Sequence, residues 1–300
     1  MSARAAGLYR HLFESRFPPN PGDSYGPYRI LVKSLLRVLL LSLLPFGALR
    51  AADAFALHDG EKFVYRVGWG IFFAAGQITI NSADVHGPTG TVTKVDITTE
   101  TRGLVRGVFP FTATGESLYD PLSGHLLSSS ASSKTREKQT KTSISLDYTN
   151  RIATYLDDLN PARSKKVDFP SEGSPYDLIL GLIQTRVWTM KPGETRDIVA
   201  LFEDQFYLLT VHAEGYETVT TPMGTYNTLV LEPKMEKTPP KGMFKHGSGV
   251  KVWISQDDQH LPVRFAVEFK FGEGVASLLE YRPPGSATPA RVADEVHPHS

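Results

Sequence analysis

Apolar and polar side chains alternate along most of the chain after residue 60, and this two-residue period is typical of β-strands with one buried face. In the first run, Phe63, Tyr65 and Val67 occupy alternate positions. Turn residues such as Gly, Pro, Asn and Asp separate the runs. The pattern predicts strands over residues 62–67, 71–85, 91–99, 112–119, 126–135, 142–148, 152–156, 194–202, 205–213, 216–220, 226–233, 250–255, 261–271 and 275–281.

Residues 178–188 break the alternation, because their leucine and isoleucine side chains recur at helical spacing. Ser174 as N-cap and Pro175 at the first helical position form a start signal. The pattern predicts one buried helix of roughly three turns. We expect this helix to pack on the concave side of the sheet.

Many strands with a single helix predict a mainly β fold, either a large curved antiparallel sheet or a partly open β-barrel with one short buried helix. The 25 glycines and 21 prolines argue against a helix bundle. We expect one β-rich domain over residues 57–282. Residues 283–300 lack periodicity, and we expect them to form a disordered tail.

Residues 29–56 have the features of a secretory signal peptide. A basic stretch precedes the apolar run 38–44, and small residues follow it. The apolar run is shorter than the ~20 residues that span a bilayer, although an uncleaved anchor helix is the alternative. The pattern predicts export to the periplasm, with cleavage after Ala51, Ala54 or Ala56.

Residues 1–28 do not resemble the start of a signal peptide, because residues 18–22 are typical of a loop. We expect an unstructured leader here. A second interpretation is that translation begins near Val32, so that residues 1–28 are not translated.

Composition excludes several classes of protein. The chain has no cysteine, so it carries no disulfide, no thiolate metal site and no lipidated N-terminal cysteine, and we do not expect a lipoprotein. Residues 1–54 hold seven basic and three acidic side chains, which leaves 25 basic and 29 acidic ones, or −4, in the remainder. This mildly acidic balance does not favour binding to nucleic acid.

No motif indicates catalysis or a cofactor. The nine histidines are scattered without metal-ligand spacing, and we find no nucleophile elbow, phosphate loop or dinucleotide fingerprint. The adjacent carboxylates Asp257 and Asp258 are interpreted as turn residues. We therefore expect no cofactor, no metal and no catalytic residue.

Lys134, Arg136 and Lys138 recur at a period of two. In a strand they would project from one face, where they could bind an anionic head group. The alternative is an edge strand that its charges protect from pairing. We name these three residues as candidate ligand-binding residues.

The connector at residues 236–248 carries apolar side chains, including Phe244, between basic ones. Such a segment could be a solvated loop, or a lid or contact loop at the opening of a sheet. Phe244 is the fourth candidate ligand-binding residue.

Five segments resemble the bacterial exported proteins grouped as domain-of-unknown-function family 3108. They are residues 60–70, 175–178, 191–194, 221–226 and 252–264. The last is the most specific, with a strand that contains Trp253, an acidic turn and the sequence Leu261-Pro262-Val263-Arg264. Gln256 stands where the family usually has an acidic residue or a Ser-Asp pair. The resemblance implies a fold and an exported location, but no activity, because the family has none established.

The leading hypothesis is a non-enzymatic periplasmic protein whose curved sheet binds an apolar or lipid-like ligand, or a chain in transit to the outer membrane. A sheet too large to be filled by its own side chains tends to enclose a cavity. A second hypothesis is a scaffold that contacts another cell-envelope protein through a strand edge or the 236–248 loop. A hydrolase is the third, and would need side chains from separate strands to converge.

Overall fold

Strands dominate the computed structural model, which describes residues 55–87, 90–170, 173–241, 244, 249–269 and 272–285. The strands are β1 (Lys62–Trp69), β2 (Phe72–Gly87), β3 (Gly90–Thr101), β4 (Thr112–Tyr119), β5 (Leu126–Lys134), β6 (Gln139–Asp147), β7 (Ile152–Asp157), β8 (Lys165–Asp168), β9 (Pro175–Asp177), β10 (Thr195–Phe202), β11 (Gln205–Thr221), β12 (Gly224–Lys234), β13 (Val250–Ser255), β14 (Pro262–Phe269) and β15 (Gly272–Arg282). The α-helices are α1 (Gly103–Val108) and α2 (Leu178–Gln184), and single 3-10 turns lie at Pro161–Arg163 and Thr185–Val187. None of the helices described is long and apolar enough to cross a bilayer.

The described strands form one sheet of 15 strands, in which two meanders meet at the centre. One meander runs outward from β1 to β8, the other from β15 back to β9, and β1 pairs with β15. The predicted mainly β fold with a large curved sheet is confirmed.

The prediction of purely antiparallel pairing is wrong for one pair of strands, because β9 runs parallel to β10. In that pair Pro175 lies opposite Val199, and Asp177 lies opposite Leu201. Helix α2 lies between these two strands in the sequence and forms part of the connection that returns the chain to the start of β10. A crossover of this kind is what parallel neighbours require.

The sheet curls around its concave face. The hydroxyl oxygen of Tyr119, at the end of β4, accepts a hydrogen bond of 3.1 Å from the backbone N–H of Asp177 in β9. On the other edge, Lys165 in β8 forms an ion pair of 2.5 Å with Asp204. Strands that are far apart in sheet order therefore approach each other across the core, and the sheet is a partly open barrel.

Two predicted turns are confirmed. Pro222 and Met223 connect β11 and β12 as a two-residue hairpin. The carboxylate of Asp257 accepts hydrogen bonds from Ser255 Oγ at 2.8 Å and from the backbone N–H of Gln259 at 3.1 Å. Asp257 is thus a turn residue, as its sequence context indicates.

The predicted helix is present but shorter than expected. It begins at Leu178, because Pro175–Asp177 is extended and pairs with β10. Asp177 is the N-cap in place of Ser174, and its Oδ1 accepts a hydrogen bond of 3.0 Å from Ile179 N. The fixed φ angle of Pro175 suits an extended strand as well as a helix start, so the proline alone does not set the boundary.

Helix α1 was not predicted. It follows Arg102 and contains Gly103 and Gly107, and glycine is a weak helix former.

Two predicted strands, 205–213 and 216–220, are one continuous strand β11 with a bulge between Ala213 and Gly215. The predictions for residues 1–54 and for the tail after residue 285 lie outside the described residues.

Candidate functional site

A pocket of about 890 Å³ opens on the concave face of the sheet. It spans the strand order β13-β14-β15-β1-β2-β3 and is also bordered by α1 and α2. Most of the lining side chains are apolar. The lining residues are Tyr65, Val67, Trp69, Phe72, Ala75, Gly76, Ile78, Ile80, Thr99, Glu100, Thr101, Leu104, Val105, Val108, Phe109, Phe111, Thr135, Leu178, Ile179, Leu182, Val250, Phe265, Val267, Gly274 and Ala276.

Strand alternation directs these side chains inward, and their sizes create the pocket. Large buried side chains such as Tyr65 and Phe265 pack against each other with ring centroids 5.1 Å apart. On the neighbouring strands β2 and β15 several lining residues are small, namely Ala75, Gly274 and Ala276. Because small residues leave space that no neighbouring side chain fills, the core opens into a cavity here.

Gly76 allows β2 and β3 to approach closely beside the pocket. A Cβ atom at this position would lie 2.6 Å from the backbone carbonyl oxygen of Glu100. A larger residue could be accepted only if the backbone of β3 moved.

Helix α2 forms one wall of the pocket through Leu178, Ile179 and Leu182. Burial raises the pKa of its N-cap, Asp177, to about 6, although backbone hydrogen bonds from the first turn of the helix oppose the shift. The helix wall thus begins at a carboxyl group that titrates in a mildly acidic range.

The segment that precedes β1 packs against the end of α2 and the end of β4, and none of its residues lines the pocket. Phe55 is buried and stacks on Tyr119 with ring centroids 4.4 Å apart. The backbone N–H of Ala56 donates a hydrogen bond of 3.0 Å to Gln184 Oε1 at the end of α2. We call residues 55–61, together with residues 184–186, the closed end.

A buried ion pair lies at the centre of the closed end. Arg186 Nη1 lies 2.6 Å from Glu61 Oε1, and the side chain of Glu61 is 0% exposed. Tyr281 donates a second hydrogen bond of 2.8 Å to the same oxygen. Burial alone would lower the pKa of Arg186, but the Glu61 carboxylate more than offsets this and raises it. Arg186 therefore stays charged and bonded to Glu61.

The other end of the pocket is open and lined by exposed apolar residues. Ile71 in the turn between β1 and β2 and Phe73 at the start of β2 have 83% and 84% of their surface exposed. Trp69 and Phe72 flank this turn and also line the pocket. We call residues 69–73, together with residues 102–111, the open end.

Helix α1 lies at the open end with no buried residue. Leu104 and Val108 are 84% and 81% exposed, although both also line the pocket. The segment that contains α1 connects β3 to β4. Its two ends are joined where Thr101 Oγ1 donates a hydrogen bond of 2.9 Å to the carbonyl oxygen of Phe109. The helix thus borders an opening and is not packed into the core.

Among the described lining residues, Glu100 carries the single formal charge, and it is paired. Arg102 Nη2 lies 2.6 Å from Glu100 Oε1, and Arg106 Nη1 lies 3.4 Å from Oε2. The hydroxyl of Tyr65 donates to the carbonyl oxygen of Pro262 at 2.9 Å, and burial raises its pKa well above the usual value. Within the described residues no group of three or more His, Asp or Glu could hold a metal. The lining offers apolar contact and little that could act as an acid, a base or a nucleophile.

The structure places Lys134, Arg136 and Lys138 beside the open end, but not in a strand ladder. Lys134 is the last residue of β5, and the other two lie in the β5–β6 turn, so the prediction of three residues on one strand face is wrong. Strand-edge protection is wrong as well, because β5 and β6 lie inside the sheet. Arg136 Nη2 donates a hydrogen bond of 2.9 Å to the carbonyl oxygen of Gly107 in α1.

Phe244 is not the exposed side chain that the sequence suggested. It is buried, and its ring centroid lies 5.7 Å from that of Tyr207 in β11. Phe244 is not among the residues that line the pocket, so its apolar surface is used in packing.

Residues that the sequence did not single out form most of the site. Gly274 and Ala276 recur at a period of two in β15, which is a signal that small side chains face inward there. The α1 residues Leu104 and Val108 had no such signal, because their neighbours predict neither a helix nor a strand.

This architecture, a curled sheet with an apolar pocket on its concave face, defines a class of β-rich proteins. The sequence profile of DUF3108, described as a protein of unknown function, matches residues 64–279. The chain therefore belongs to the DUF3108 family. No curated protein matches it.

Three solved structures are similar to this chain at low sequence identity. One is a β-barrel-like protein of the domain of unknown function DUF1849 from Brucella abortus, with 7% identity, a TM-score of 0.48, and 75% of this chain and 98% of that chain covered. The second is a protein with a YmcC-like fold from Bacteroides fragilis, assigned as exported, with 12% identity, a TM-score of 0.32, and coverage of 77% and 100%. The third is a protein from Parabacteroides distasonis assigned as a lipoprotein, with 10% identity, a TM-score of 0.28, and coverage of 76% and 99%.

Proposed function

We propose that this protein is a non-enzymatic exported protein that binds the apolar part of a lipid-like ligand in its pocket. The observation that carries the proposal is the pocket itself, about 890 Å³ in volume and lined mainly by apolar side chains. Pockets that bind small molecules measure about 300–1,000 Å³ and are mostly apolar. A volume at the upper end of this range suits a large apolar group.

The open end is suited to the polar part of such a ligand. Glu100, Arg102 and Arg106 lie at the opening, while the interior beyond them is apolar. An amphipathic molecule could place its chain among the lining side chains and its head group near these charges. Since Glu100 and the Tyr65 hydroxyl are already paired, binding and not catalysis is the function that the pocket favours.

Export is part of the proposal. The signal-peptide pattern of residues 29–56 supports it. Because Phe55 and Ala56 are buried in the folded domain, we place the cleavage after Ala51 or Ala54 and not after Ala56. N-terminal sequencing of the protein recovered from a periplasmic extract tests this. A mature chain that begins at Leu57, or a precursor that stays in the cytosol, would contradict it.

Ligand binding is tested by titrating the purified protein with a series of dansylated fatty acids of increasing chain length. We expect saturable binding to one site and up to about fourfold tighter binding per added methylene, since a buried methylene contributes about 0.8 kcal/mol. Affinity should stop increasing once the chain exceeds the pocket. Affinity that does not depend on chain length would contradict the proposal.

A matched pair of variants locates the binding. Val267→Trp introduces a large ring into the pocket, whereas Val85→Trp makes the same change on the exposed part of β2, away from the lining residues. We expect Val267→Trp to weaken binding at least tenfold and Val85→Trp to leave it unchanged. Melting temperatures would show that both variants are folded. Equal affinities for the two variants would rule out the pocket as the binding site.

A further inference from the structure

We infer that the open end, together with the β5–β6 turn, docks on the surface of a membrane that contains anionic phospholipid. The inference goes beyond the proposed function. It rests on that function only for the reason why the protein would dock: contact here would bring the pocket to the lipids from which a ligand could enter. The docking itself requires only the exposed surface.

The first observation is the concentration of exposed apolar side chains. Sixteen large apolar side chains are exposed among the described residues, and seven of them belong to the open end. Those seven are Trp69, Ile71, Phe72, Phe73, Leu104, Val108 and Phe109. A cluster of this kind marks a surface that contacts a protein or a membrane. Tryptophan and phenylalanine are typical of segments that insert shallowly at a membrane interface.

The second observation is charge, which selects the membrane as the partner. Residues 100–111 and 134–138 together carry five basic and two acidic side chains, a formal charge of +3. Residues 55–300 as a whole have a formal charge of −4. The part of that range outside these two segments is therefore more acidic still. Basic side chains around an apolar tip complement the phosphates of anionic lipids.

The basic side chains are held close to the apolar ones. Arg136 bonds to the backbone of α1, so the β5–β6 turn is fixed beside Leu104 and Val108. Lys134 and Lys138 are exposed on either side of Arg136. Cationic groups would thus meet head groups while the apolar side chains reach below them.

The acidic groups nearby define the orientation. Glu137 lies in the same turn as the basic residues, and Glu268 and Glu273 are exposed on the β14–β15 hairpin. In the strand order, β1 and β2 lie between that hairpin and β3, which leads into α1. We therefore expect contact on the α1 side, with the acidic hairpin tilted away from the membrane.

The test is co-flotation of the purified chain with vesicles made of phosphatidylcholine alone or of phosphatidylcholine and phosphatidylglycerol in equal parts, at low and high salt. We expect binding to the anionic vesicles, and weaker binding as salt screens the charges. A vesicle with brominated acyl chains should quench tryptophan fluorescence in the wild type and much less in Trp69→Phe.

Two double variants separate the apolar and the charged contributions. Ile71→Ser with Phe73→Ser removes exposed apolar side chains that do not line the pocket, and we expect vesicle binding to weaken at least tenfold. Lys134→Glu with Lys138→Glu should weaken binding to anionic vesicles by on the order of 25-fold or more, because each lost cation near the surface weakens binding by about fivefold.

The matched controls lie away from the open end. Val85→Ser with Leu122→Ser changes exposed apolar side chains there, and Lys166→Glu with Lys191→Glu reverses exposed charges. Both controls should bind vesicles as the wild type does. Equal flotation with both vesicle types, no flotation, or equal losses in variants and controls would overturn the inference. Flotation that survives Ile71→Ser with Phe73→Ser would do so as well, and would leave the open end as a surface for a protein partner.

Failure of docking and failure of the proposed function give different results. If docking is wrong but the pocket binds lipid, the Ile71 and Phe73 double variant binds dansylated fatty acid and no chain floats with vesicles. If the pocket is wrong but docking is right, flotation persists while dansylated fatty acid does not bind. Val267→Trp should lose fatty-acid binding and keep flotation.

Discussion

At the closed end Glu61 is fully buried between Arg186 and Tyr281, whereas at the open end Ile71 and Phe73 are almost fully exposed. In the first region, polar side chains are buried and bonded to each other. In the second, apolar side chains are exposed and contact no protein over most of their surface. Both arrangements reverse the usual distribution of polar and apolar residues.

The contrast separates stability from binding. When one partner of a buried ion pair is removed, the other charge stays buried without compensation, and the protein loses much stability. An exposed apolar side chain contributes little to folding, because it is in water in both the folded and the unfolded states. We therefore expect substitutions at the closed end to change the free energy of unfolding, and substitutions at the open end to change binding.

The largest effect is expected for Glu61→Ala, which leaves the Arg186 guanidinium buried without its carboxylate. We expect a loss of about 3–5 kcal/mol in the free energy of unfolding, measured by urea denaturation.

Lys62→Ala is the control for that measurement, because Lys62 pairs with Glu280 at 3.0 Å at the surface. Its loss should be below about 1 kcal/mol. Similar losses for the two variants would mean that the buried pair has no special role at the closed end.

Phe55→Ala should come next, with a loss of about 3 kcal/mol, because it leaves a cavity against Tyr119. The measurement is again urea denaturation of the purified protein. Phe202→Ala removes the same side chain from an exposed position and should have little effect. If Phe55→Ala is equally silent, the stacking of Phe55 on Tyr119 does not stabilise the closed end.

Asp177→Asn should change how stability depends on pH. Burial raises the pKa of Asp177 to about 6, above its value of about 3.9 in an unfolded chain. Between these values the folded state holds a proton that the unfolded state has lost, so this group's contribution to stability falls as pH rises through the window. Asparagine also caps helices and does not titrate.

The comparison is between urea titrations of the wild type and Asp177→Asn at several pH values from 4 to 7.5. Relative to the variant, the wild type should lose about 2.5 kcal/mol across this range. Parallel curves for the two proteins would show that Asp177 does not titrate in this window.

The smallest effect on stability is expected at α1. Leu104→Ser and Val108→Ser should change the free energy of unfolding by less than about 0.5 kcal/mol, because both side chains are exposed. Both also line the pocket, so affinity for dansylated fatty acids should fall several-fold. Leu122→Ser, on an exposed loop outside the pocket, should change neither quantity. A large loss of stability at α1 would remove the distinction between the two ends.

Local signals in the sequence predicted the elements that local interactions determine. The β11–β12 hairpin at Pro222 and the turn at Asp257 were predictable because each uses residues suited to its own backbone geometry. The strands were predictable because alternation reflects one buried face. Helix α2 was located, although its start was not, because β9 gains its pairing from a strand that lies some twenty residues farther along the chain.

The site was much harder to predict than the fold. The pocket arises where small residues from β2 and β15 face the same space, and these strands meet only through the pairing of β1 with both. The contact between Glu61 and Arg186 joins residues 125 positions apart. Phe244 was misplaced because the sequence does not show that Tyr207 is there to cover it.

The position of β15 has a consequence for how the protein is completed during synthesis. The two meanders are joined by hydrogen bonds between the first and the last of the described strands, and Gly285 N donates to the carbonyl oxygen of Asp59 at 3.2 Å. Each half can pair its own neighbours in order as the chain emerges, but β1 has no partner on its other side until the final strand arrives. During that interval its free edge is open to the wrong strand. A chaperone that shields one strand edge would therefore serve this protein best late in its synthesis, when nearly the whole chain has already emerged.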